Sequence, residues 1–399
     1  MSTGWPAEER LRAIDWSPLA AVRAPVIEAL EPVLAGAEAA RALTRLLRQQ
    51  PTWTAPQRAA AAEALLGVAL WRRRLRHHAP DDSPDALLTA LVRDLGGRMS
   101  APPPDDWPTR LSYPDWLAAE LTRALGPDAE PFAAASNLPG PITVRANRLR
   151  LTRDILAVRL ATEGVEASPT PHAPDGLFLH GRPNVLGLPS HQSGLFEVQD
   201  EASQLVAVCV DARPGDTVLD LCAGSGGKTL ALGAAMADQG TLHATDVDLA
   251  ALERLEQRAA RAGIRRSLRI LRVLPPELRA THVLVDASCS ALGTLRRGPD
   301  VRWRIDPATL DAHPLLQQQL LATAARHTAP GGRLVYATCT MRPEENQYVV
   351  RDFLGAHPDF GRIPAPVPEA VRSPDGELVT LPNRHGTDGF YAAVLERSA

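Results

Sequence analysis

Apolar residues in the first 137 positions recur at the spacing of helices. Alanine and leucine dominate four segments, and prolines fall between them. This pattern predicts amphipathic helices separated by helix breakers. The predicted helices are residues 33–47, 57–75, 85–95 and 116–125. We expect residues 1–137 to form an all-helical N-terminal domain, a kind of domain that binds RNA, binds protein or acts as a scaffold.

The pattern changes after residue 137. Residues 142–147 alternate between apolar and polar positions as a strand does, and residues 154–163 have helical spacing. A second short apolar run, residues 176–179, reads as another strand. We expect residues 138–200 to form a small α+β module.

From residue 201 onward, predicted strands and helices alternate, which favours a parallel sheet with helices on both faces. The predicted strands are residues 217–221, 241–246, 268–273, 282–286, 333–338 and 389–395, and the predicted helices are 229–236 and 249–262. The expected fold class is therefore α/β. A doubly wound, Rossmann-like sheet over residues 201–399 follows the helical domain and the α+β module.

The net charge of the chain gives little information about its binding partners, whereas its cysteines indicate the cellular compartment. The formal net charge of −3 gives no global sign of nucleic-acid binding, although residues 254–279 are rich in arginine and such clusters can contact phosphates. The four cysteines have no C-x-x-C spacing, so we expect no metal site. We find no signal peptide or membrane-spanning run and expect a cytoplasmic protein with reduced thiols.

One basic residue stands apart from all the others. Lys228 is the single lysine among 43 basic residues, and it lies in the glycine-rich turn at 220–229, between a predicted strand and a predicted helix. This order begins a nucleotide-binding unit, because glycines let the backbone approach a ligand and the helix N-terminus offers unpaired N–H groups. A chance survivor of arginine bias is the alternative, but a compact ammonium differs from a planar guanidinium most in such a loop.

Two ligands compete for this turn. Its end, Gly-Gly-Lys-Thr, resembles a phosphate-binding P-loop, but Cys222 occupies the position of the first required glycine. The apolar run that ends at Asp286 can pass for the matching Walker B strand, so an NTPase stays open. Asp246 lies about 20 residues beyond the glycines, where a carboxylate binds the ribose of an adenosine cofactor. Asp246 can also cap the following helix, and the two roles are compatible.

Three cysteines fall at or just beyond predicted strand ends, where ligands bind in open parallel sheets. They are Cys222, Cys289 and Cys339. Each can be a small buried hydrophobe. A thiolate beside an adenosine cofactor, however, is what methylation of cytosine at carbon 5 requires. Its addition to carbon 6 makes carbon 5 nucleophilic enough to accept a methyl group, and a carboxyl near N3, such as that of Asp286, stabilises the adduct.

Four motifs together make a specific resemblance. They are Asp-Leu-Cys-Ala-Gly-Ser-Gly-Gly-Lys-Thr at 220–229, Ala-Thr-Asp-Val-Asp at 244–248, Asp-Ala-Ser-Cys-Ser at 286–290 and Tyr-Ala-Thr-Cys-Thr-Met-Arg-Pro-Glu-Glu-Asn at 336–346. The chain resembles the Sun/Fmu (RsmB-like) family of S-adenosylmethionine-dependent RNA cytosine-5 methyltransferases. The stretch at 198–203 and Asp-Gly-Phe-Tyr at 388–391 also fit, and the resemblance covers residues 140–396.

The resemblance implies a role for each motif. Cys339 would be the nucleophile, Cys289 would assist product release, and Asp286 would face the cytosine or the methyl end of the cofactor. Lys228 would lie near the reacting centre or the cofactor carboxylate. The implied cofactor is S-adenosylmethionine, held by residues of the glycine turn and the acidic strand ends, namely Cys222, Ala223, Gly224, Ser225, Gly226, Gly227, Lys228, Asp246 and Asp286.

Two departures from the family pattern are visible. Ser288 stands where the family has proline before the release cysteine, which loosens that loop. The predicted strand at 268–273 ends without the aspartate that meets the adenine amino group in the family. Without that aspartate, either the cofactor binds more weakly or a backbone group takes over the contact with the adenine amino group.

The resemblance implies RNA as the partner, and 16S ribosomal RNA in particular. The resemblance implies that the α+β module holds RNA and that residues 1–137 are similar to a NusB-like domain. The target cytosine would be flipped out or unpaired. Arg296, Arg297 and Arg302 are candidates to contact its backbone, with ordinary surface arginines as the alternative. We expect a monomer that binds neither metal nor membrane. A non-catalytic RNA-binding assembly factor is the remaining class, although two poised thiols argue against it.

Overall fold

The computed structural model describes residues 6–97, 104–181 and 183–399. The chain separates into two compact units. The first, called the helical unit, comprises Met1–Gly140 together with Thr294–Thr309. The second, called the sheet unit, comprises Pro141–Gly293 and Leu310–Ala399. The α+β module therefore shares a compact unit with the larger sheet, although the two have separate strands.

The helical unit confirms the expected all-helical N-terminal region. Its longest helix begins at a capping box, in which Thr54 and Gln57 satisfy each other's backbone N–H groups. The buried face of that helix, with Leu65, Val68 and Trp71, forms the centre of the unit's core. The helices are α1 (Pro6–Arg12), α2 (Arg23–Leu34), α3 (Ala39–Gln49), α4 (Ala55–His78), α5 (Pro84–Ala90), α6 (Trp107–Arg110), α7 (Asp115–Leu125) and α8 (Ala129–Ala135).

Two predicted helices of this region are interrupted. The predicted helix at 33–47 is wrong as one element, because α2 ends at Leu34 and α3 begins at Ala39. Gly36 lies between them at φ +107°, a backbone conformation that glycine adopts without strain. The predicted helix at 85–95 is α-helical only to Ala90 and continues as a π-helix over Leu91–Leu95.

The α+β module is a four-stranded antiparallel sheet with one long helix. Its strand order is β2-β3-β1-β4. Val144, Leu177 and Phe196 come from three of the strands and are buried with Leu156 and Leu160 of the helix. The elements are β1 (Ile142–Ala146), α9 (Arg153–Thr162), β2 (Ala167–Pro169), β3 (Gly176–Leu179), α10 (Pro189–Gln192) and β4 (Phe196–Val198).

The larger sheet is built first from alternating helices and parallel strands. Its first half confirms the predicted strands and helices to within a few residues. The elements are α11 (Glu201–Val210), β5 (Thr217–Asp220), α12 (Gly227–Ala235), β6 (Thr241–Ala244), α13 (Leu249–Ala262), β7 (Leu268–Ile270) and β8 (Ala280–Asp286).

After β8 the chain leaves the sheet unit for residues Thr294–Thr309, which pack with the helices of the first unit. This segment contains α14 (Val301–Arg304). Asp300 accepts a hydrogen bond from the backbone N–H of Ala39, and Trp303 Nε1 donates to the carbonyl of Ala69 at 2.8 Å. Sequence alone assigns these residues to the domain at 201–399, because nothing local reveals contacts with residues more than 200 positions away.

The second half of the sheet contains three helices that were not predicted from sequence, α15, α16 and α17. Strand β9 begins earlier than expected, since the Pro-Gly-Gly stretch at 330–332 is part of the strand and not a turn before it. The elements are α15 (His313–His327), β9 (Thr328–Thr338), α16 (Gln347–Ala356), β10 (Phe360–Ile363), β11 (Leu378–Thr380), α17 (Pro382–His385) and β12 (Phe390–Arg397).

The strand order places a crevice where the chain reverses direction. The main path is β10-β12-β9-β8-β5-β6-β7, with β11 beside β12. Strands β5 to β9 are parallel, whereas β12 is antiparallel to β9. From β5 the chain adds β6 and β7 on one side and then returns to place β8 on the other. In such sheets the ligand crevice lies beyond the carboxyl ends of the strands at this switch point, here β5 and β8. The expected doubly wound fold class is thereby confirmed.

Both faces of the sheet are buried, as parallel sheets require. Successive residues point to opposite faces, so Val218 and Leu219 enter different cores. Helices α11 and α12 cover the first core, and α15 and α16 cover the second. No helix in the described part of the chain combines the length and apolar character that crossing a membrane requires.

Candidate active site

The glycine turn after β5 is shaped by a close approach to α13. Gly226 has φ +91°, and a Cβ atom there would lie 2.2 Å from Leu255 Cδ1. Gly224, at φ +52°, faces space in which no atom of the described chain lies within 4 Å of an added Cβ. Helix α12 then begins at Gly227, and no side chain of the described residues caps its first turn. Backbone N–H groups are therefore available for a ligand at this point.

Asp246 connects the glycine turn to the next helix. Its Oδ2 accepts from the Gly224 N–H at 2.8 Å, and its Oδ1 accepts from the Asp248 N–H at 2.8 Å. The cap of α13 is Asp248, whose side chain accepts from the Ala251 N–H, so the capping alternative for Asp246 is wrong. Each oxygen of Asp246 keeps acceptor capacity for a ligand hydroxyl.

Lys228 is nearly buried and is bound to an acid at the switch point. Its Nζ donates to Asp286 Oδ2 at 2.6 Å and lies 5.2 Å from the centre of the Phe390 ring. Only 9% of Lys228 is exposed. The lysine therefore links the first turn of α12 to the end of β8, and it orients the carboxylate of Asp286.

Asp220 and Cys222 lie under the turn and are too buried to ionise readily. Burial raises the pKa of Asp220 to about 7, and its Oδ2 accepts from Thr229 Oγ1 at 2.7 Å. Burial, aided by the neighbouring carboxylates, raises the pKa of the Cys222 thiol well above its ordinary range. Cys222 is consequently a poor nucleophile and serves as part of the wall.

A cavity of about 370 Å³ lies against this turn. Seven of its lining residues are among those predicted to bind the cofactor, namely Cys222, Ala223, Gly224, Ser225, Gly227, Lys228 and Asp286. Gly226 and Asp246 are not among the lining residues, although both shape the turn. The wall is completed by residues that were not predicted from sequence, namely Val198, Gln199, Asp200, Ser203 and Arg258.

Arg258 braces the glycine turn from α13. Its Nη1 donates to the carbonyl oxygen of Ser225 at 2.6 Å, and its Nη2 donates to Glu197 at 2.8 Å. Although burial opposes it, the neighbouring Arg258 and Arg261 hold the pKa of Glu197 below its ordinary value. An ion pair between the α+β module and α13 therefore holds the turn in place.

The two strand-end cysteines lie side by side. Strands β8 and β9 pair in parallel, with Asp286 opposite Ala337, so Cys289 and Cys339 emerge from the same edge. Their sulfur atoms are 3.4 Å apart, and both side chains are partly exposed. The hydrogen bond to Cys339 and burial raise the pKa of Cys289 well above its ordinary value. Both effects disfavour the thiolate form of Cys289.

The loops that carry the cysteines are held together at three points. The Gly293 N–H donates to the carbonyl of Cys339 at 2.9 Å, and the Gly389 N–H donates to the carbonyl of Gly293 at 2.8 Å. The hydroxyls of Ser290 and Thr340, each one residue after a cysteine, are 2.9 Å apart. A Cβ at Gly293 would lie 2.0 Å from the Gly389 carbonyl, so only glycine permits this approach.

Comparison with known proteins identifies the family. The family model for the 16S rRNA methyltransferases RsmB/F matches residues 207–396, and that of the associated ferredoxin-like domain matches residues 113–186. A Synechocystis protein named probable ribosomal RNA small subunit methyltransferase B is 35% identical over 72% of this chain and 68% of its own. The chain belongs to the RsmB/F family. The corresponding Pseudomonas putida protein is 33% identical over 78% of this chain and 73% of its own.

Two solved structures share the fold of this chain. A methyltransferase homologue from Pyrococcus horikoshii is 27% identical, with a TM-score of 0.65 over 73% of this chain and 98% of its own. The structure of PH0851 covers 100% of both chains with a TM-score of 0.80 at 24% identity, and it supports the fold alone.

In this RsmB/F member, the three arginines predicted to contact RNA differ in how exposed they are. Arg297 is exposed and Arg296 is half-buried, so both stay candidates. The prediction for Arg302 is wrong, because none of its surface is exposed. Its Cζ lies 3.9 Å from the centre of the Tyr113 ring, and its Nη1 donates to Asn137 Oδ1 at 2.8 Å. Arg302 is a core residue of the helical unit.

We expect Arg302→Ala to destabilise the protein without removing a phosphate contact. The truncation leaves a cavity beside Tyr113 and leaves buried oxygens of Ser112 and Asn137 unpaired, which together cost about 3 kcal/mol or more of unfolding free energy. Denaturant titration measures that loss. The salt dependence of RNA binding should be unchanged in the folded variant, with exposed Arg48→Ala of the same unit as the stability control. A slope reduced by about one counterion would show that Arg302 contacts phosphate after all.

The described residues contain no candidate metal site. Across residues 6–97, 104–181 and 183–399, no group of three or more His, Cys, Asp or Glu side chains is placed to hold a metal ion.

Proposed function

We propose that this protein transfers a methyl group from S-adenosylmethionine to carbon 5 of a cytosine in 16S ribosomal RNA. One observation carries the proposal. The sulfur atoms of Cys289 and Cys339 are 3.4 Å apart at the sheet edge, just beyond the strand whose last residue, Asp286, lines the cavity. The description of the matched family and the names of the relatives support the ribosomal substrate.

The cavity residues fit S-adenosylmethionine. The open space beside Gly224 allows a ligand to approach the backbone, and the start of α12 offers N–H groups to a carboxylate. Asp246 lies where a carboxylate accepts from ribose hydroxyls. When bound, S-adenosylmethionine supplies an electrophilic methyl group.

Two exposed valines take the place of the acid that is missing after the third strand. Val247 follows the end of β6 and is fully exposed, and Val273 follows β7 and is 81% exposed. The two strands are parallel neighbours, with Ala244 opposite Ile270, so both valines belong to the same sheet edge. Exposed apolar side chains at a binding edge favour an apolar ligand surface. Val247 and Val273 would pack against the adenine ring of the bound cofactor, in place of a carboxylate that accepts from its amino group.

Cys339 is the nucleophile of the proposed reaction. Its thiolate adds to carbon 6 of the cytosine, and the electrons of the C5–C6 double bond become available at carbon 5 for the methyl group. The raised pKa of Cys289 disfavours its thiolate while its sulfur lies within hydrogen-bond distance of the Cys339 sulfur. In the proposed reaction Cys339 is therefore the sulfur that attacks the base.

Asp286 and Lys228 act on the cytosine ring. Asp286 Oδ2 is held by Lys228 at 2.6 Å, and in the proposed complex its other oxygen accepts a hydrogen bond from N3 of the cytosine, which carries a proton there. A hydrogen bond there stabilises the charge that develops when sulfur adds to carbon 6. Lys228 serves to fix that carboxylate and adds positive charge to the cavity wall.

RNA reaches the thiols with its target base out of the stack, because carbons 5 and 6 are inaccessible in stacked A-form RNA. Arg296 and Arg297 follow the Cys289 loop by seven and eight residues and contact the RNA backbone in this proposal. The α+β module at 138–200 and the helical domain at 1–137 hold flanking RNA. The protein acts as a monomer in the cytoplasm, where its thiols stay reduced.

The other two classes have less support. An NTPase requires the turn lysine to meet phosphates, whereas Lys228 is bound to Asp286 and the family is one of methyltransferases. A non-catalytic assembly factor has no use for two adjacent thiols beside a cofactor-sized cavity.

The test is methylation of 16S ribosomal RNA isolated from cells that lack the gene. Purified protein and methyl-labelled S-adenosylmethionine should convert a single cytosine to 5-methylcytidine, located by bisulfite sequencing and confirmed by nucleoside mass spectrometry. ATP should not compete with S-adenosylmethionine in calorimetry. Label found on another atom or base, or no label at all, would contradict the proposal.

A further inference from the structure

Both peptide groups around Cys289 are held by one buried pair of side chains. Gln317 Nε2 donates to the carbonyl oxygen of Ser288 at 3.0 Å, and the N–H of Ser290 donates to Glu345 Oε2 at 2.9 Å. Gln317 and Glu345 are joined to each other, with Nε2 3.0 Å from Oε2. The backbone is therefore restrained immediately before and immediately after the cysteine.

The Gln317 amide donates to the Ser288 carbonyl and to Glu345, and these are its hydrogen-bond partners among the described residues. It lies on α15 with none of its surface exposed, and its Oε1 has no hydrogen-bond partner among the described residues. The opposite amide orientation would set Oε1 against the Ser288 carbonyl and the Glu345 carboxylate, two acceptors, so the observed orientation is the favourable one. The contribution of this buried amide therefore comes from its two N–H donors and not from its oxygen.

Glu345 anchors the pair that it forms with Gln317. It is fully buried, and its Oε1 accepts from Arg342 Nη1 at 3.3 Å while Oε2 accepts from the loop and from Gln317. Hydrogen bonds to an ionised acceptor are stronger than those between neutral groups. Gln317 extends this anchor by one residue, from the N–H after Cys289 to the carbonyl before it.

We propose that Gln317 is a positioning residue for Cys289 and that it restrains this loop through its hydrogen bond to the Ser288 carbonyl. Proline limits the backbone through its ring, and Ser288 lacks that limit. A hydrogen bond to the Ser288 carbonyl restores it from outside the loop. The inference deepens the proposed function, on which it rests.

The step served is release of the methylated base. The hydrogen bond to Cys339 that raises the pKa of Cys289 is lost once the Cys339 sulfur is bonded to carbon 6. Cys289 then loses its own proton to solvent, and its thiolate accepts the proton from carbon 5. The electron pair of that C–H bond forms the C5–C6 double bond, and the bond from carbon 6 to the Cys339 sulfur breaks with its pair on sulfur. Cys339 is thereby returned as a thiolate. The transfer needs the Cys289 sulfur close to carbon 5, which depends on the loop conformation.

The experiment compares Gln317→Leu with the wild type and with Cys289→Ala on 16S ribosomal RNA. The rate of methyl transfer in a single turnover and the lifetime of the denaturant-stable enzyme–RNA adduct are measured separately. We expect transfer within about twofold of the wild type and an adduct that persists at least about tenfold longer. Cys289→Ala should lengthen it further. A purely structural defect would slow both steps or lower S-adenosylmethionine affinity, which calorimetry measures.

The controls separate this inference from the proposed function. Gln319→Leu, exposed on the same helix, should leave both rates unchanged. Ser288→Pro in the Gln317→Leu background should shorten the adduct lifetime, and an unaltered lifetime would overturn the restraint role. Gln317→Met repeats the measurement if the leucine variant does not fold. Adduct release at the wild-type rate in a Gln317 variant overturns the positioning role alone. Absence of methylation by the wild type, or methylation by Cys339→Ala, overturns the proposed function and this inference with it.

Discussion

Cys339→Ala is expected to abolish methyl transfer, with a fall in kcat/KM on the order of 10⁴-fold or more, while S-adenosylmethionine binds as before. The sulfur of Cys339 is partly exposed at the edge of the sheet and lies 3.4 Å from that of Cys289. Without a nucleophile at carbon 6, carbon 5 of cytosine has too little electron density to accept a methyl group.

The measurement uses labelled methyl transfer to 16S ribosomal RNA, with calorimetric titration of S-adenosylmethionine on the same preparation. Cys209→Ala is the matched control. Cys209 is a fully buried thiol on α11, and burial raises its pKa to about 12, so its loss should leave transfer intact. No denaturant-stable adduct should form with Cys339→Ala. Transfer near the wild-type rate in that variant would exclude Cys339 as the nucleophile.

The parts of the site that sequence predicts are those set by local order along the chain. The glycine turn follows a buried strand and precedes a helix, so its position needs only the pattern of residues 217–236. Cys289 and Cys339 each follow a strand, and parallel strands bring their carboxyl ends to one edge. Their adjacency was thus predictable, and the structure confirms it with a sulfur–sulfur distance of 3.4 Å.

The parts that sequence did not predict depend on contacts between distant segments. Arg258 braces the glycine turn from a helix whose exposed and buried faces give no sign of that contact. Gln317 belongs to α15, which the sequence analysis did not assign at all. Arg302 shows the reverse error, because an arginine near a catalytic loop suggests a phosphate contact, yet it stacks on Tyr113 within the helical unit. Residue type alone does not show whether a cation is buried.

Ser288 departs from the family motif, and the structure changes what that departure means for the loop. From sequence, Ser288 implies a looser loop around Cys289. In the structure, Ser288 is exposed while the peptide groups on either side of Cys289 are bound to Gln317 and Glu345. The restraint is supplied by side chains 29 and 55 positions away from the groups they hold, which no local pattern encodes.

Lys228→Met is expected to lower kcat by about 10²-fold and to leave the S-adenosylmethionine Kd within a few fold. Lys228 Nζ lies 2.6 Å from Asp286 Oδ2, and no other lysine exists in the chain to replace it. Its removal leaves the Asp286 carboxylate at the cavity wall without its cation, so the acid loses the orientation that the cytosine ring requires. Lys228→Arg should retain part of the rate, because a guanidinium pairs with Asp286 but is larger and planar.

The two alternatives for Lys228 separate in this experiment. A lysine that holds the cofactor carboxylate would raise the S-adenosylmethionine Kd in Lys228→Met, whereas one that orients Asp286 lowers kcat at saturating cofactor. Arg351→Met is the matched control, since Arg351 also lies over an aromatic ring, that of Tyr348, and beside an acid, but on the exposed surface. That variant should change neither quantity. Unchanged kcat in Lys228→Met would show that the only lysine of the chain does not act through Asp286, and the contact seen at 2.6 Å would then be structural alone.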